Sequence, residues 1–173
     1  LNNKIINDNI YKNNTVLILI PVTLKSSGLE NKLLKDINGM SIIERTYNQA
    51  IKSKCIVKNN DGGIQNVRVV TNSMDIFNKI LHSKNFTNPK IGLMNEECKN
   101  ENEICQKYVK SITEKYSIII NIKGDEPFVN IINIDKVISA MVETNYQCII
   151  GHYLSKQYND LSLIKSVINK NNK

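Results

Sequence analysis

Metal-ligand spacings, a clustered basic stripe and a membrane-length apolar run are all missing from this 173-residue chain. Cys55, Cys98, Cys105 and Cys148 form no Cys-x-x-Cys pair and His82 and His152 stand alone, so no zinc site is expected and the thiols fit a reduced, cytoplasmic setting. Cys55 and Cys148 read as small buried hydrophobes, and the two histidines as surface or partly buried residues, not catalytic bases. The longest apolar stretch, Val16 to Val22, is interrupted by Pro21 and far too short to span a bilayer. No basic-then-apolar leader opens the chain, so a soluble protein with no membrane partner is expected. The net charge of +7 comes from lysines scattered among Asn-rich loops without interleaved aromatics, which argues against nucleic acid and leaves a mild attraction for anions such as nucleotides.

With 41% hydrophobic residues, the chain can bury one core, and a single domain over residues 15–168 is expected. The polar, aperiodic residues 1–14 read as a disordered lead-in and 169–173 as a tail. A first residue other than Met points to a fragment or a trimmed product.

Apolar periodicity alternates between the two regular classes. Thr15 to Ile20 is an unbroken buried strand, followed by a loop through Pro21, Val22, Thr23, Lys25, Ser26, Ser27 and Gly28. Ser41 and Glu44 form a capping box for a helix to about Ser53, with Ile43, Tyr47, Ala50 and Ile51 on one face. Val67 to Thr71 is the next strand. Ser73 and Asp75 open a helix that turns Ile76, Phe77, Ile80 and Leu81 inward. Lys90 to Met94 reads as a short strand, Glu101 to Glu114 as a helix with Ile104, Tyr108 and Ile112 on one side, and Ser117 to Ile122 as a strand expected at the centre of the sheet. A helix over Ile134 to Thr144 takes Asn133 as cap, and Gln147 to Gly151 and Leu163 to Ile168 are weaker strands. This order predicts an α/β fold: a doubly wound, mostly parallel sheet with helices on both faces.

The densest signal is Ile120 to Pro127, where a β-branched run leaves a strand straight into Gly124-Asp125-Glu126-Pro127. Ligands of open α/β sheets bind outside the carboxyl ends of the strands, and a carboxylate delivered there suits Mg²⁺ and a substrate phosphate. Gly124 permits a tight turn or a close backbone approach, and Pro127 fixes the exit.

In this order and on these elements, Ile20-Pro21 with Ser26, Leu29, Lys32 and Leu34, then Asp36-Ile37-Asn38-Gly39 with Ile43, then Asn121 to Pro127, resemble the 3-deoxy-manno-octulosonate (Kdo) cytidylyltransferases. Val70-Thr71-Asn72 with Asp75, and Leu163 to Val167, are weaker echoes. The resemblance runs from about Val16 to Lys165. It implies a nucleotide-diphospho-sugar transferase-like fold and attack of the Kdo anomeric hydroxyl on the α-phosphate of CTP, giving CMP-Kdo, a lipopolysaccharide precursor, and pyrophosphate. It further implies Mg²⁺ on Asp125, phosphate contact by Lys32, and nucleotide contacts from the Pro21 to Gly28 loop, Lys123 and Gly124.

The departures from the family pattern carry equal information. Thr23 and Gly28 occupy its two loop-arginine positions, and a lysine such as Lys25 cannot reproduce a guanidinium fork. Glu30-Asn31 replaces its Pro-Gly pair, and the acidic stretch Glu96 to Asn102 replaces its His-x-Ser-Gly-Thr loop. The resemblance assigns a second metal-binding aspartate and much of a homodimer contact to a C-terminal part missing after Lys173. Three readings follow: an impaired Kdo-activating enzyme, a non-catalytic nucleotide-binding or assembly protein of the same fold, or a nucleotidyltransferase for another sugar acid.

Overall fold

The computed structural model describes residues 15–23, 31–86 and 89–144. Its main sheet has four strands, β1 (Val16–Val22), β4 (Val67–Thr71), β5 (Lys90–Leu93) and β6 (Ile118–Asn121). A separate hairpin pairs β2 (Asp36–Ile37) with β3 (Met40–Ser41). Four α-helices complete the layers: α1 (Ile42–Ala50), α2 (Met74–Leu81), α3 (Glu101–Ser111) and α4 (Ile131–Glu143). The lead-in, the tail, the strands expected at 147–151 and 163–168, Cys148 and His152 lie outside the described residues.

All pairings in the main sheet are parallel, in the order β5-β4-β1-β6, with Ile18 beside Val67 and Val16 beside Ile118. Because β1 is covered on both faces, its apolar run needs no alternation. Val16, Ile18, Ile20 and Val22 pack with Ile43 and Tyr47 of α1, Ile76 and Ile80 of α2, and Ile134 and Ile138 of α4. Leu17 and Leu19 turn the other way, onto Val70 and Ile104 of α3. Helices therefore flank both faces, as the alternation predicts, and each fully buried aliphatic side chain contributes about 1.5–3 kcal/mol.

Local signals place most elements to within a few residues. The capping box forms as expected, Ser41 Oγ accepting the Glu44 amide and Glu44 accepting the Ser41 amide. Ser73 caps α2 by accepting the Ile76 amide. Cys55 is buried as expected, and exposed His82 ends α2 with Nδ1 2.8 Å from the Asn78 carbonyl oxygen.

Among the described strands β1 and β4 have neighbours on both sides and β6 pairs with β1; the strands expected after β6, which would decide whether it is central, lie outside the described residues. Several expectations are corrected. Helix α4 begins earlier, with Asn130 as cap accepting the Ile132 amide at 2.9 Å; Asn133 already lies in its first turn, its amide 3.0 Å from the Asn130 carbonyl. Helix α3 stops at Ser111, before the segment carrying Glu114. On α2 only Ile76 and Ile80, one turn apart, are buried; Leu81, about 100° further round, is exposed. The β2–β3 hairpin was readable from Asn38-Gly39, whose positive φ values of 58° and 83° are those such a two-residue turn requires.

Candidate active site at the carboxyl edge of the sheet

Pro21 is tolerated inside β1 by its position. Ile18 donates its amide toward the β4 side, to Asn66, whereas Leu19 accepts from Ile122 on the β6 side. Two residues on from Leu19, the missing Pro21 donor therefore faces the side where β6 has already ended. Pro21 and Val22 are buried and form the wall against which the next loop closes.

That loop is the Gly-Asp-Glu-Pro turn. The Glu126 amide donates to the Lys123 carbonyl at 3.2 Å and the Val129 amide to the Glu126 carbonyl at 3.1 Å, so successive turns carry the chain into α4. Gly124 is pressed against β1: a Cβ there would stand 2.3 Å from Val22 Cγ1 and 3.3 Å from the Pro21 carbonyl oxygen. Only glycine fits without displacement, which is the close approach expected from the sequence. On its other side the Thr46 hydroxyl of α1 donates to the Gly124 carbonyl at 2.9 Å.

The turn brings together the two residues that the sequence singles out. Lys32 Nζ donates to Asp125 Oδ2 at 2.7 Å, with side chains 29% and 37% exposed respectively. Lys32 opens a short 3₁₀ turn, Lys32–Leu34, anchored by buried Leu33 and entered through Asn31 at a left-handed φ of 53°. Lys123 is exposed at the base of the loop. Glu101, the first residue of α3, senses all three charges: burial and the Asp125 carboxylate push its carboxyl above the usual range, while Lys123 and Lys32 pull it down. The candidate site is thus centred on the Lys32–Asp125 pair.

At the same edge of the sheet, a groove of about 400 Å³ opens past the ends of β1, β4 and β5, lined by Thr23, Asn72, Ser73, Met94, Asn95, Glu96 and other residues. Thr23 accordingly belongs to the groove wall. Lys107 crosses the groove's acidic rim, 3.0 Å from Glu96 Oε2, 3.3 Å from Glu103 Oε1 and 2.9 Å from the Glu97 carbonyl. Lys25, Ser26, Ser27 and Gly28 lie outside the described residues.

Among the described residues, no group of three or more His, Cys, Asp or Glu side chains is placed to hold a metal ion. The donor set that fits is therefore one exposed carboxylate, Asp125, with the remaining positions left to water and a ligand's phosphates, which is how Mg²⁺ is commonly held. Thr46 is the residue that sequence reading missed. Its signal was a hydroxyl on the buried face of α1, between Ile43 and Tyr47 and fully buried like them.

A parallel α/β sheet whose charged groups and groove gather outside the strands' carboxyl ends has the open-sheet architecture, the class in which ligands sit at that edge. The sequence profile of the cytidylyltransferase family matches residues 17–172, and the chain belongs to that family. Among its relatives, a 3-deoxy-manno-octulosonate cytidylyltransferase of Christiangramia forsetii is 30% identical over 119 residues, 68% of this chain and 42% of the relative. The enzyme of the same name from Francisella philomiragia is 28% identical over 126 residues, 73% of this chain and 46% of the relative. The chain thus spans less than half the length of these relatives. A solved CMP:2-keto-3-deoxy-manno-octonic acid synthetase complexed with CTP shares the fold, with a TM-score of 0.62 at 20% identity over 75% of this chain and 48% of that one. No helix among the described residues is long and apolar enough to cross a membrane.

Proposed function

We propose that this chain forms the nucleotide-binding portion of a Mg²⁺-dependent cytidylyltransferase that joins CTP and Kdo. In the reaction, the sugar's anomeric oxygen forms a new bond to the α-phosphorus of CTP, the α–β bridging P–O bond breaks, pyrophosphate departs and the hydroxyl proton is lost to solvent. The observation that carries the reading is the Lys32–Asp125 pair, two residues from distant segments held at 2.7 Å at the sheet's carboxyl edge. Partly exposed, the pair is held by one contact that a polyphosphate and its metal can replace. Lys32 then binds the triphosphate as a point charge, and Lys123 adds a second cation at the loop's base. Asp125 would hold the metal, and Mg²⁺ bound there would supply charge neutralisation of the phosphates. Gly124, pressed against β1, fixes the direction in which Asp125 emerges.

A second reading, a nucleotide-binding relative with little catalysis, is favoured by the groove itself. Thr23 stands where the family pattern has arginine, and Glu96 and Glu97 line the wall. A lost charge-assisted contact to a transferring group costs roughly 2–4 kcal/mol, or two to three orders of magnitude in rate.

The test is calorimetry of Mg²⁺–CTP on the chain, alongside pyrophosphate release from CTP and Kdo. Weak, Mg²⁺-dependent CTP binding that Asp125→Ala abolishes is expected, with little turnover. Tight binding indifferent to Mg²⁺ and to Asp125→Ala would refute the assignment. Full turnover by the unmodified chain would refute the second reading, and a gain of turnover in Thr23→Arg/Gly28→Arg would locate the deficit in the first loop.

A further inference from the structure

We infer that Thr46 is the positioning residue of the Asp125 site; this rests on the reading of Asp125 as metal ligand given above. The carbonyl of Gly124 and the amide of Asp125 belong to one planar peptide unit, so whatever holds that carbonyl fixes the direction in which Asp125 leaves the backbone. Close packing and one hydrogen bond hold this unit. Below, Val22 leaves no room at Gly124 for even a Cβ, which would come within 2.3 Å of Val22 Cγ1. From the side, the buried Thr46 hydroxyl donates to the Gly124 carbonyl oxygen at 2.9 Å.

The same hydroxyl lies 3.2 Å from the Ile42 carbonyl of its own helix, the ordinary back-bond of a helical threonine, but its shorter contact leaves the helix and reaches 78 residues along the chain. Thr46 is well suited to the task. Its β-branched side chain has few rotamers, and α1 is locked at its start by the Ser41–Glu44 box. The Glu126–Lys123 hydrogen bond closes the turn internally but does not tie it to the helix beside it. Thr46 supplies that tie, acting on substrate only through Asp125.

Thr46→Val keeps the shape and removes the donor, leaving a buried carbonyl without it; Thr46→Ser keeps the donor. Three measurements on the chain separate a positioning role from a merely structural one: exchange of the Glu126 amide, Mg²⁺-dependent affinity for CTP, and the thermal midpoint. Thr46→Val is expected to speed Glu126 exchange about tenfold with the Ile18 amide unchanged. It is also expected to weaken Mg²⁺-dependent CTP binding about 10- to 100-fold, the usual range for a group that orients a metal ligand. Thr46→Ser restores both, and in an Asp125→Asn background, where only metal-independent CTP binding is left, Thr46→Val leaves that total affinity unchanged. Unchanged Glu126 exchange, unchanged affinity despite faster exchange, or an equal affinity loss with and without Asp125 overturns the proposal. If the unmodified chain shows no Mg²⁺-dependent CTP binding, the functional reading falls, while the exchange measurement still decides whether Thr46 orders the turn.

Discussion

Arg68 with Glu114 and Lys32 with Asp125 are ion pairs of the same length, 2.7 Å, yet their surroundings differ in almost every respect. Arg68 rises from β4 on the face that α3 covers, and its side chain is only 5% exposed. Its terminal nitrogens also donate to the Tyr108 hydroxyl at 3.0 Å and the Tyr116 hydroxyl at 2.8 Å. Its guanidinium carbon lies 5.8 Å and 5.6 Å from the centres of those two rings. Burial works against the charge, but the Tyr108 hydroxyl and the Glu114 carboxylate outweigh it and hold the pKa above its already high value. The terminal nitrogens are thus occupied by protein groups, and only the buried Nε is without a partner. Lys32 and Asp125 have one strong bond to each other and a third of their side-chain surface in water. Equal distances therefore conceal opposite uses: a charge enclosed by several partners organises the fold, and a charge with one replaceable partner is available for chemistry.

Breaking the enclosed pair should produce the largest effect. Arg68→Ala leaves a hole under two tyrosines and takes the donor from both their hydroxyls, and is expected to give the largest fall in the urea midpoint. A midpoint within experimental error of the unmodified chain would erase the distinction between the two pairs.

Gly124→Ala acts at the boundary between fold and site. Its Cβ would meet Val22 Cγ1 at 2.3 Å, so β1 or the turn must move. Overpacking of this kind costs about 1–3 kcal/mol, and the displaced Asp125 should lose Mg²⁺-dependent CTP binding together with stability. Calorimetry and thermal melting of the same preparation check both, and retained binding would show that the turn tolerates another path.

Glu44 supplies a third kind of charge, buried without a cation. Burial opposes its ionisation, but hydrogen bonds donated by the Ser83 hydroxyl and by the Ser41 amide and hydroxyl prevail and hold its carboxyl below the usual range. A carboxyl depressed on folding stabilises the native state above its unfolded pKa and loses that contribution as the pH falls through the folded value. Stability should therefore decline below about pH 4.5, and Glu44→Gln should flatten that decline in urea midpoints measured from pH 6 to pH 3. An undiminished decline in the variant would assign the acid sensitivity elsewhere.

Lys32→Ala should have the smallest effect on stability, under about 1 kcal/mol, because half-exposed pairs gain little in water. Affinity for Mg²⁺–CTP should nevertheless fall, and fall more steeply as salt is lowered, since a phosphate-binding cation acts through screened charge. A large loss of stability in this variant would mean that Lys32 belongs with Arg68, among the charges that build the fold.

Much of this was legible in the residues themselves. The Ser41–Glu44 box, the Ser73 cap and the apolar run from Val16 are signals within a few positions of one another, so α1 and α2 start where the sequence predicts and β1 is found, but Pro21 and Val22, expected in the loop after it, are buried strand residues. The choice of Asp125, Lys32 and Gly124 also came from the sequence, through a strand that ends on Gly-Asp-Glu-Pro and through resemblance to a family. Less legible was the cap of α4, where two asparagines three positions apart offer the same side chain.

By itself, then, the sequence determined the class of elements, their alternation, the parallel sheet that alternation implies, and the end of the sheet where a carboxylate would appear. Tertiary structure alone decided which groups meet there. Lys32 and Asp125 are 93 residues apart and Thr46 and Gly124 are 78 apart, joined only because β6 returns beside β1 with α1 packed beneath both. Local propensity acts over a turn of helix or a pair of strand residues, whereas such contacts depend on the path of every crossover between them.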